Sequence, residues 1–220
     1  MIAELLQEIA PNCIIDTKQE NSDCGFSIKV AKDPSWNYYI VFTDGLSNQP
    51  QDVPEKYNAF KKLELYFCLP DYWNFEADGW PVYWLEKLAE IPQKNNTWYG
   101  PGDTIPAGDP PQSLSERFPA NHFMLVEPLK VKDLLEDPIF KTAGIQFMGI
   151  IPILQEELDY KIRNSATVLM ARLVKNNYTE QVDLFAFREP FIHRTEVMVE
   201  HHHFTTSSVR LKQHGKCLLR

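Results

Sequence analysis

Side chains that could carry out chemistry are few and widely scattered in this sequence. The most prominent are three consecutive histidines, of which His201 and His203 would share one face of a strand beside Glu200. That spacing suits chelation, but metal sites need three or four ligands with supporting groups around them, and no such set lies nearby in sequence. We therefore expect a surface histidine cluster and no bound metal.

The sequence also contains no pattern typical of paired catalytic carboxylates or of an activated nucleophile. Glu156 and Glu157 are adjacent, so on a helix they point about 100° apart and cannot face one substrate together. The segment Gly100-Pro101-Gly102 is followed by no Gly-Lys-Ser/Thr, and no Gly-x-Ser-x-Gly occurs. We expect no catalytic residue, no cofactor and no enzymatic activity. The alternative is a hydrolase or metal-dependent enzyme that uses Asp103 or the histidine cluster.

Cysteine usage and hydropathy point to the cytoplasm. The four cysteines are widely spaced and form no Cys-x-x-Cys pair, and Cys68 lies on an expected strand, where it should be buried and inert. The first eleven residues lack the basic start and long apolar run of a signal peptide. No apolar run approaches the roughly 20 residues of a membrane span. We expect a cytoplasmic protein with no membrane contact.

The charge balance excludes one class of partner. With 22 basic and 30 acidic residues the net charge is −8, and the basic residues form no patch. An acidic surface repels phosphate backbones, so we expect no nucleic-acid binding, whereas a cationic partner would be attracted at long range.

Hydrophobic periodicity predicts a mixed α/β (α+β) fold in which helices pack on a mixed sheet. Apolar and more polar residues alternate most cleanly in 62–69, which predicts a strand. One face of this strand is predicted to be core, and the other, which includes Glu64 and Cys68, is predicted to be partly exposed to solvent. The long apolar run at 145–153 predicts a central strand that is buried on both faces. Further strands are predicted at residues 24–30, 36–42, 122–126, 182–187 and 197–204, and helices at 2–9, 81–94, 131–136, 154–162 and 166–175.

Residues 95–120 form a long stretch rich in Gly, Pro and Asp. Loops of this length inside compact domains are uncommon and are often functional or mobile, and the part at 110–119 is expected to be flexible. Pro92 is expected to disrupt the last turn of the preceding helix. Residues 17–23 are polar and are predicted to form a connection between elements.

Read in order, several motifs resemble the suppressor-of-fused domain family over residues 34–175. They are Trp36-Asn37-Tyr38-Tyr39, Gly45-Leu46-Ser47, Glu64-Leu65, Trp80-Pro81, Leu88-Ala89-Glu90, Asn96-Thr97-Trp98, Gly102-Asp103-Thr104-Ile105-Pro106, Phe123-Met124-Leu125-Val126-Glu127-Pro128 and Gln155-Glu156-Glu157-Leu158. One departure from the family's pattern is Ile91, which stands near the helix end where the family has an aromatic residue. The chain also stops short of the second domain of animal members, so it resembles the N-terminal domain found alone in bacterial members. We expect a single domain over residues 1–220, with 176–220 as its extension.

The resemblance implies protein binding. Animal members hold an extended peptide as an added strand between two domains, and bacterial single-domain members are proposed to be immunity proteins that neutralise a toxin. A protein partner, a toxin or an extended segment, is therefore expected here. An exposed sheet edge could accept such a segment.

The resemblance also implies partner-binding residues. Asp103 and Glu127 match acids that contact peptide in animal members, and Trp98 and Tyr99 would offer flat anchors. Two alternatives stay open. Asp103 could instead bond its own backbone as a turn residue, and Trp98 could instead anchor its loop in the core.

Overall fold

The strands richest in β-branched and aromatic residues form the middle of a seven-stranded sheet. The computed structural model describes residues 1–182. Within them, the order of strands is β1-β2-β3-β4-β7-β6-β5, antiparallel throughout except where β4 lies parallel to β7. The mixed α+β class is confirmed. The strands are β1 Ile14–Asn21, β2 Phe26–Lys32, β3 Tyr38–Asp44, β4 Leu63–Pro70, β5 Thr104–Pro106, β6 His122–Val126 and β7 Gln146–Ile153.

Helices cover both faces of this sheet. The long helix α2 and parts of the 95–120 segment pack on the face formed by alternate residues such as Leu65, Phe67 and Leu125. On the opposite face, α1, α3 and α4 cover one half and α5 and α6 cover the other half. The helices are α1 Ile2–Ile9, α2 Trp80–Asn95, α3 Lys132–Leu135, α4 Pro138–Thr142, α5 Gln155–Arg163 and α6 Ala166–Lys175.

Local patterns predicted most of these elements closely. Strand β6 and helices α1 and α6 have the predicted bounds, and α5 and β4 are displaced by one residue. Ser165 caps α6 by accepting the N–H of Val168, as expected for a helix-starting serine. The predictions for 197–204, for the histidine cluster and for all of 182–187 beyond Val182 lie outside the described residues.

The expectation that one face of β4 would be partly wet is wrong. All eight residues of the strand are buried, including Glu64 and Cys68 at 0% exposure. The second face is covered by α1, α3 and α4, two of which begin more than 60 residues after the strand. These helices, distant in sequence, bury the second face of the central strand. The alternation of residues within the strand cannot reveal this burial.

Strand β1 was not predicted, because its sequence has no apolar alternation. It forms one edge of the sheet, and most of its side chains are exposed. The pairing of β1 with β2 shifts register between Thr17 and Gln19, which leaves Lys18 as an extra residue. A bulge and a lysine on an edge strand both discourage pairing with another chain.

Helix α2 continues past Pro92 and ends within one residue of the predicted bound at 94, and the hydrogen bond that this proline cannot donate is replaced. A proline in a helix cannot donate to the carbonyl four residues earlier, here that of Leu88. The hydroxyl of Tyr99 donates to this carbonyl oxygen at 2.9 Å. The helix therefore continues to Asn95, and Asn96 in the left-handed conformation ends it.

The segment 95–120 is attached to the core at several points. It contains β5, which pairs with β6, and it buries Leu114 and Ala120 in the cluster beneath α2. Phe118 stacks on Trp80 with ring centroids 5.6 Å apart. The expected flexible part at 110–119 thus contributes core side chains to the described structure.

Candidate functional site

Strand directions gather several of the family-like motifs at one end of the sheet. β4, β5 and β7 begin there, whereas β3 and β6 end there. The connections that meet at this end are residues 45–52, 97–103 and 127–131, hereafter the loop end. Asp103, Glu127, Trp98 and Tyr99 all lie in it, so the topology brings together the four predicted partner-binding residues.

Asp103 is a turn residue in this structure. Its carboxylate accepts the N–H of Gly100 at 2.8 Å, and its own N–H donates to the Gly100 carbonyl at 3.1 Å. Gly102 sits between them with a φ of +86°, which other residues rarely adopt. Asp103 is only 3% exposed. Of the two alternatives left open by the sequence, the structure therefore shows the turn.

Around Asp103 lies a buried polar cluster that joins α5 to β5. Lys161 is 5% exposed and donates to the hydroxyl of Thr104 at 3.1 Å. Burial lowers the pKa of Lys161, and the nearby charge of Asp103 opposes that shift. Glu157, 1% exposed, accepts the N–H of Leu154 at 3.0 Å with one oxygen. These contacts position the helix, and none of the four side chains lines the pocket described below.

Tyr99 belongs to the core and not to the surface. It is 0% exposed, and its backbone N–H donates to the side-chain oxygen of Gln51 at 2.7 Å. Burial raises the pKa of its phenol well above the usual range. The expectation that Tyr99 offers a flat surface anchor does not fit this position, because its hydroxyl is needed by the carbonyl of Leu88.

Trp98 is half-buried and remains partly accessible. Its ring lies against Tyr57, with centroids 4.8 Å apart and planes tilted by 42°. Gly100 packs beneath it so closely that a Cβ there would lie 2.8 Å from the indole. Trp98 thus combines loop anchoring with partial accessibility, and the ammonium of Lys56 lies 4.7 Å from the centroid of the neighbouring Tyr57 ring.

Glu127 is an exposed acid of this end. It follows β6 directly, and the pairing of Thr104 with Met124 places Asp103 opposite Leu125, two residues before Glu127. Leu129, 41% exposed, lies two residues further on. Asp103 and Glu127 are therefore neighbours in the topology, but only Glu127 is accessible to a partner.

Beside Trp98 the loop end contains a pocket of about 360 Å³ that the sequence did not predict. Its walls come from the 46–52 connection, from the C-terminal end of α2 and from the residues on either side of Trp98. Because the 46–52 connection has no hydrophobic period, no sequence signal marked it. The lining residues are Leu46, Gln49, Pro50, Gln51, Asp52, Leu63, Ala89, Pro92, Gln93, Asn96, Thr97 and Tyr99.

Glu64 has a structural role that the sequence did not predict. Its carboxylate accepts the N–H groups of Gly45 at 3.2 Å and Ser47 at 2.9 Å, and the hydroxyl of Thr43 donates to its other oxygen. Burial raises the pKa of Glu64 to about 7, although these hydrogen bonds oppose the shift. The residue holds the start of the 3₁₀ helix Leu46–Asn48 and so shapes one wall of the pocket.

Metal-binding clusters and membrane-spanning helices are both absent from the described part of the chain. Among residues 1–182, no three His, Cys, Asp or Glu side chains come together in a way that could hold a metal ion. None of the helices in that range is both long and apolar enough to cross a membrane.

Comparison with known proteins agrees with the motif order. The model of the family described as Suppressor of fused protein (SUFU) matches residues 24–185. No match was found among curated proteins or among solved structures. Suppressor-of-fused domains are protein-interaction modules, which supports a protein partner in general terms. Since the match covers well over half of its 220 residues, this chain belongs to the suppressor-of-fused family.

Proposed function

We propose that this chain is a non-catalytic protein-binding domain that acts in the cytoplasm and contacts its partner through the loop end. The observation that carries the proposal is the position of Trp98. This half-buried residue stands in the chain between two residues that line the pocket, Thr97 and Tyr99, and a partly accessible aromatic beside a pocket is typical of interface anchors.

The ionisable groups of this region support binding over catalysis. Glu64, Asp103 and Lys161 are each at most 5% exposed and form hydrogen bonds with the protein itself. A general acid or base must reach a substrate proton, and groups enclosed in this way do not. The accessible acids of the loop end, Glu127 and Asp52, are suited to pairing with cationic groups of a partner.

The geometry favours docking against the loop end over addition of a strand to the sheet. In the described residues the β1 edge carries the bulge at Lys18, and the β5 edge has only three residues, one of them Pro106. Short edges, bulges, lysine and proline all hinder pairing with a further strand. The partner is therefore expected to use side-chain contacts at the loop end.

Within this binding role we propose that the domain is an immunity protein that neutralises a toxin. Support comes from its belonging to the family and from its net charge of −8, which would accelerate encounter with a cationic toxin.

Capture of the partner tests the proposal. The tagged protein is purified from lysate of its own cells, and co-purifying proteins are identified and quantified by mass spectrometry. We expect one dominant protein at near one-to-one stoichiometry. Trp98→Ala and Glu127→Arg should each weaken its retention at least about tenfold, since hot-spot truncations cost about 2 kcal/mol or more.

Tyr83→Ala is the matched control, because Tyr83 is an aromatic with 55% exposure on α2, away from the loop end. Equal retention by all four proteins would place the interface elsewhere and refute the site. If no partner is captured and the purified chain holds stoichiometric metal, the binding role itself is refuted in favour of an enzyme. Asp103 is left unchanged because breaking its turn should lower the melting temperature.

A further inference from the structure

The pocket at the loop end has an apolar floor and a polar rim. Leu63, Ala89 and Tyr99 are buried and form part of its inner wall, and Leu46, Pro50 and Pro92 add apolar surface. The rim consists of amide and hydroxyl side chains together with Asp52. This combination suits a long aliphatic side chain with a polar end, because the stem packs on the floor and the end reaches the rim.

Three rim groups have no partner within residues 1–182. The carboxylate of Asp52 and the side-chain amides of Gln93 and Asn96 form no hydrogen bond or ion pair with the described part of the chain, and all three residues are exposed. By contrast, the Gln51 amide is bonded to the backbone of Tyr99. The rim therefore offers one negative charge and several oxygen acceptors to a ligand.

The electrostatics of the pocket favour a positive charge. Among the described residues that line it, Asp52 is the only charged one. The C-terminal end of α2, a helix of 16 residues, also contributes Pro92, Gln93 and Asn96 to the wall. Carbonyl groups at a helix C-terminus have no partner in the helix and carry partial negative charge, so they attract cations.

We propose that this pocket receives one cationic side chain of the partner, an arginine or a lysine, whose charged group pairs with Asp52. Its aliphatic stem lies on the apolar floor, and its N–H donors bond to the amide oxygens of the rim. The proposal rests on the proposed function, because it names the chemistry by which the loop end recognises a protein.

The test uses small probes, so that it does not depend on finding the partner. The blocked amino acids N-acetyl-arginine methylamide and N-acetyl-lysine methylamide are titrated into the full chain, and the side-chain amide signals of Gln93 and Asn96 are followed by NMR. We expect saturable shifts with a Kd of about 1–10 mM for at least one of them, as is reasonable for a single side chain. The stronger of the two identifies the preferred cation.

Two neutral probes isolate the charge. The citrulline derivative keeps the shape of arginine and the norleucine derivative keeps the stem, and both should bind at least about tenfold more weakly. Asp52→Asn should weaken the cationic probes by a similar factor. Glu8→Gln, which removes one exposed charge from α1 on the other face of the sheet, should leave them unchanged.

The outcomes separate this inference from the proposed function. Equal binding of neutral and cationic probes, or no shift with any probe at millimolar concentration, overturns the cationic pocket. If Trp98→Ala abolishes partner capture while Asp52→Asn changes neither capture nor probe binding, the binding function stands and the pocket assignment is wrong. If no partner is captured but the arginine probe requires Asp52, the pocket stands without the function.

Discussion

Glu64 links the stability of this protein to pH. Burial raises its pKa from 4.5 to about 7, so between these values the folded protein binds a proton that the unfolded chain has released. Stability therefore decreases as the pH rises through this window, in total by about 3 kcal/mol at 1.36 kcal/mol for each pKa unit.

Glu64→Gln should remove this dependence. The amide oxygen can still accept the N–H groups of Gly45 and Ser47, and the amide N–H can donate to Thr43. Urea unfolding between pH 5 and pH 8 should show a falling free energy of unfolding for the wild type and a flatter profile for the variant. His122, whose pKa burial lowers, contributes the opposite slope in both proteins and cancels in the comparison. Parallel profiles would contradict the assignment.

The pair formed by Pro92 and Tyr99 shows how one residue compensates for another. Proline leaves the carbonyl of Leu88 without its helical donor, and the Tyr99 hydroxyl replaces it from eleven residues away. Tyr99→Phe should lower the free energy of unfolding by about 1–2 kcal/mol, because a buried carbonyl loses its hydrogen bond. Tyr83→Phe, which removes a hydroxyl from a 55% exposed ring, is the control and should unfold like the wild type. Equal effects of the two substitutions would show that the bond is unimportant.

At the scale of elements, a single carboxylate attaches the segment after α6 to the sheet. Glu180 is 1% exposed and accepts the N–H groups of Leu129, Lys130 and Val131 at 2.8–3.2 Å, together with the hydroxyl of Tyr66 at 3.1 Å. Gly149 permits this approach, since a Cβ there would lie 3.0 Å from the Tyr66 hydroxyl. Beyond Glu180, the N–H of Val182 donates to the carbonyl of Cys68 on β4.

Glu180→Ala should be among the most destabilising substitutions in the described chain. It leaves four donors without their acceptor, which we expect to cost about 3 kcal/mol or more. The urea midpoint should fall, and hydrogen exchange at the amides of 129–131 should accelerate. Glu127→Ala, an exposed acid in the same connection, serves as the control. An unchanged midpoint together with unchanged exchange would show that the segment is held by other contacts.

At the scale of the whole molecule, the three described cysteines report how tightly the layers close over the sheet. Cys13, Cys24 and Cys68 are all buried and unpaired. Burial raises the pKa of Cys13 to about 11, with Asp33 adding to the shift, and it raises the pKa of Cys68 further above the usual range. Both access and ionisation therefore oppose reaction.

In a Cys217→Ser background, a thiol reagent at pH 8 should modify the folded protein at least roughly 100-fold more slowly than free cysteine. Cys68, with 0% exposure at the centre of the sheet, should react last, after Cys13 and Cys24 near the edges. Mass spectrometry of digested samples gives the order. Rapid labelling of Cys68 without denaturant would mean that the two halves of the sheet separate readily.

The elements that the sequence determined by itself are those whose pattern is local. Apolar residues at helical spacing in 2–9, alternation in 62–69 and the long apolar run before Leu154 each specify an element from neighbouring residues alone, and the structure confirms them. The family was recognised from the order of the motifs along the sequence, which can be read without knowing the fold. Strand β1 was missed because a polar edge strand has little apolar pattern to detect.

The tertiary structure alone decided which of these residues face solvent. Asp103 and Glu127 look alike in sequence, yet one is enclosed in a turn and the other is exposed. Glu64 became a buried acid because distant helices cover its strand, and Glu180 meets Tyr66 across 114 residues of chain. The pocket arises in the same way, from two connections and a helix end that only folding brings together. Burial and electrostatics depend on such long-range neighbours, whereas helices and strands depend mostly on short-range ones.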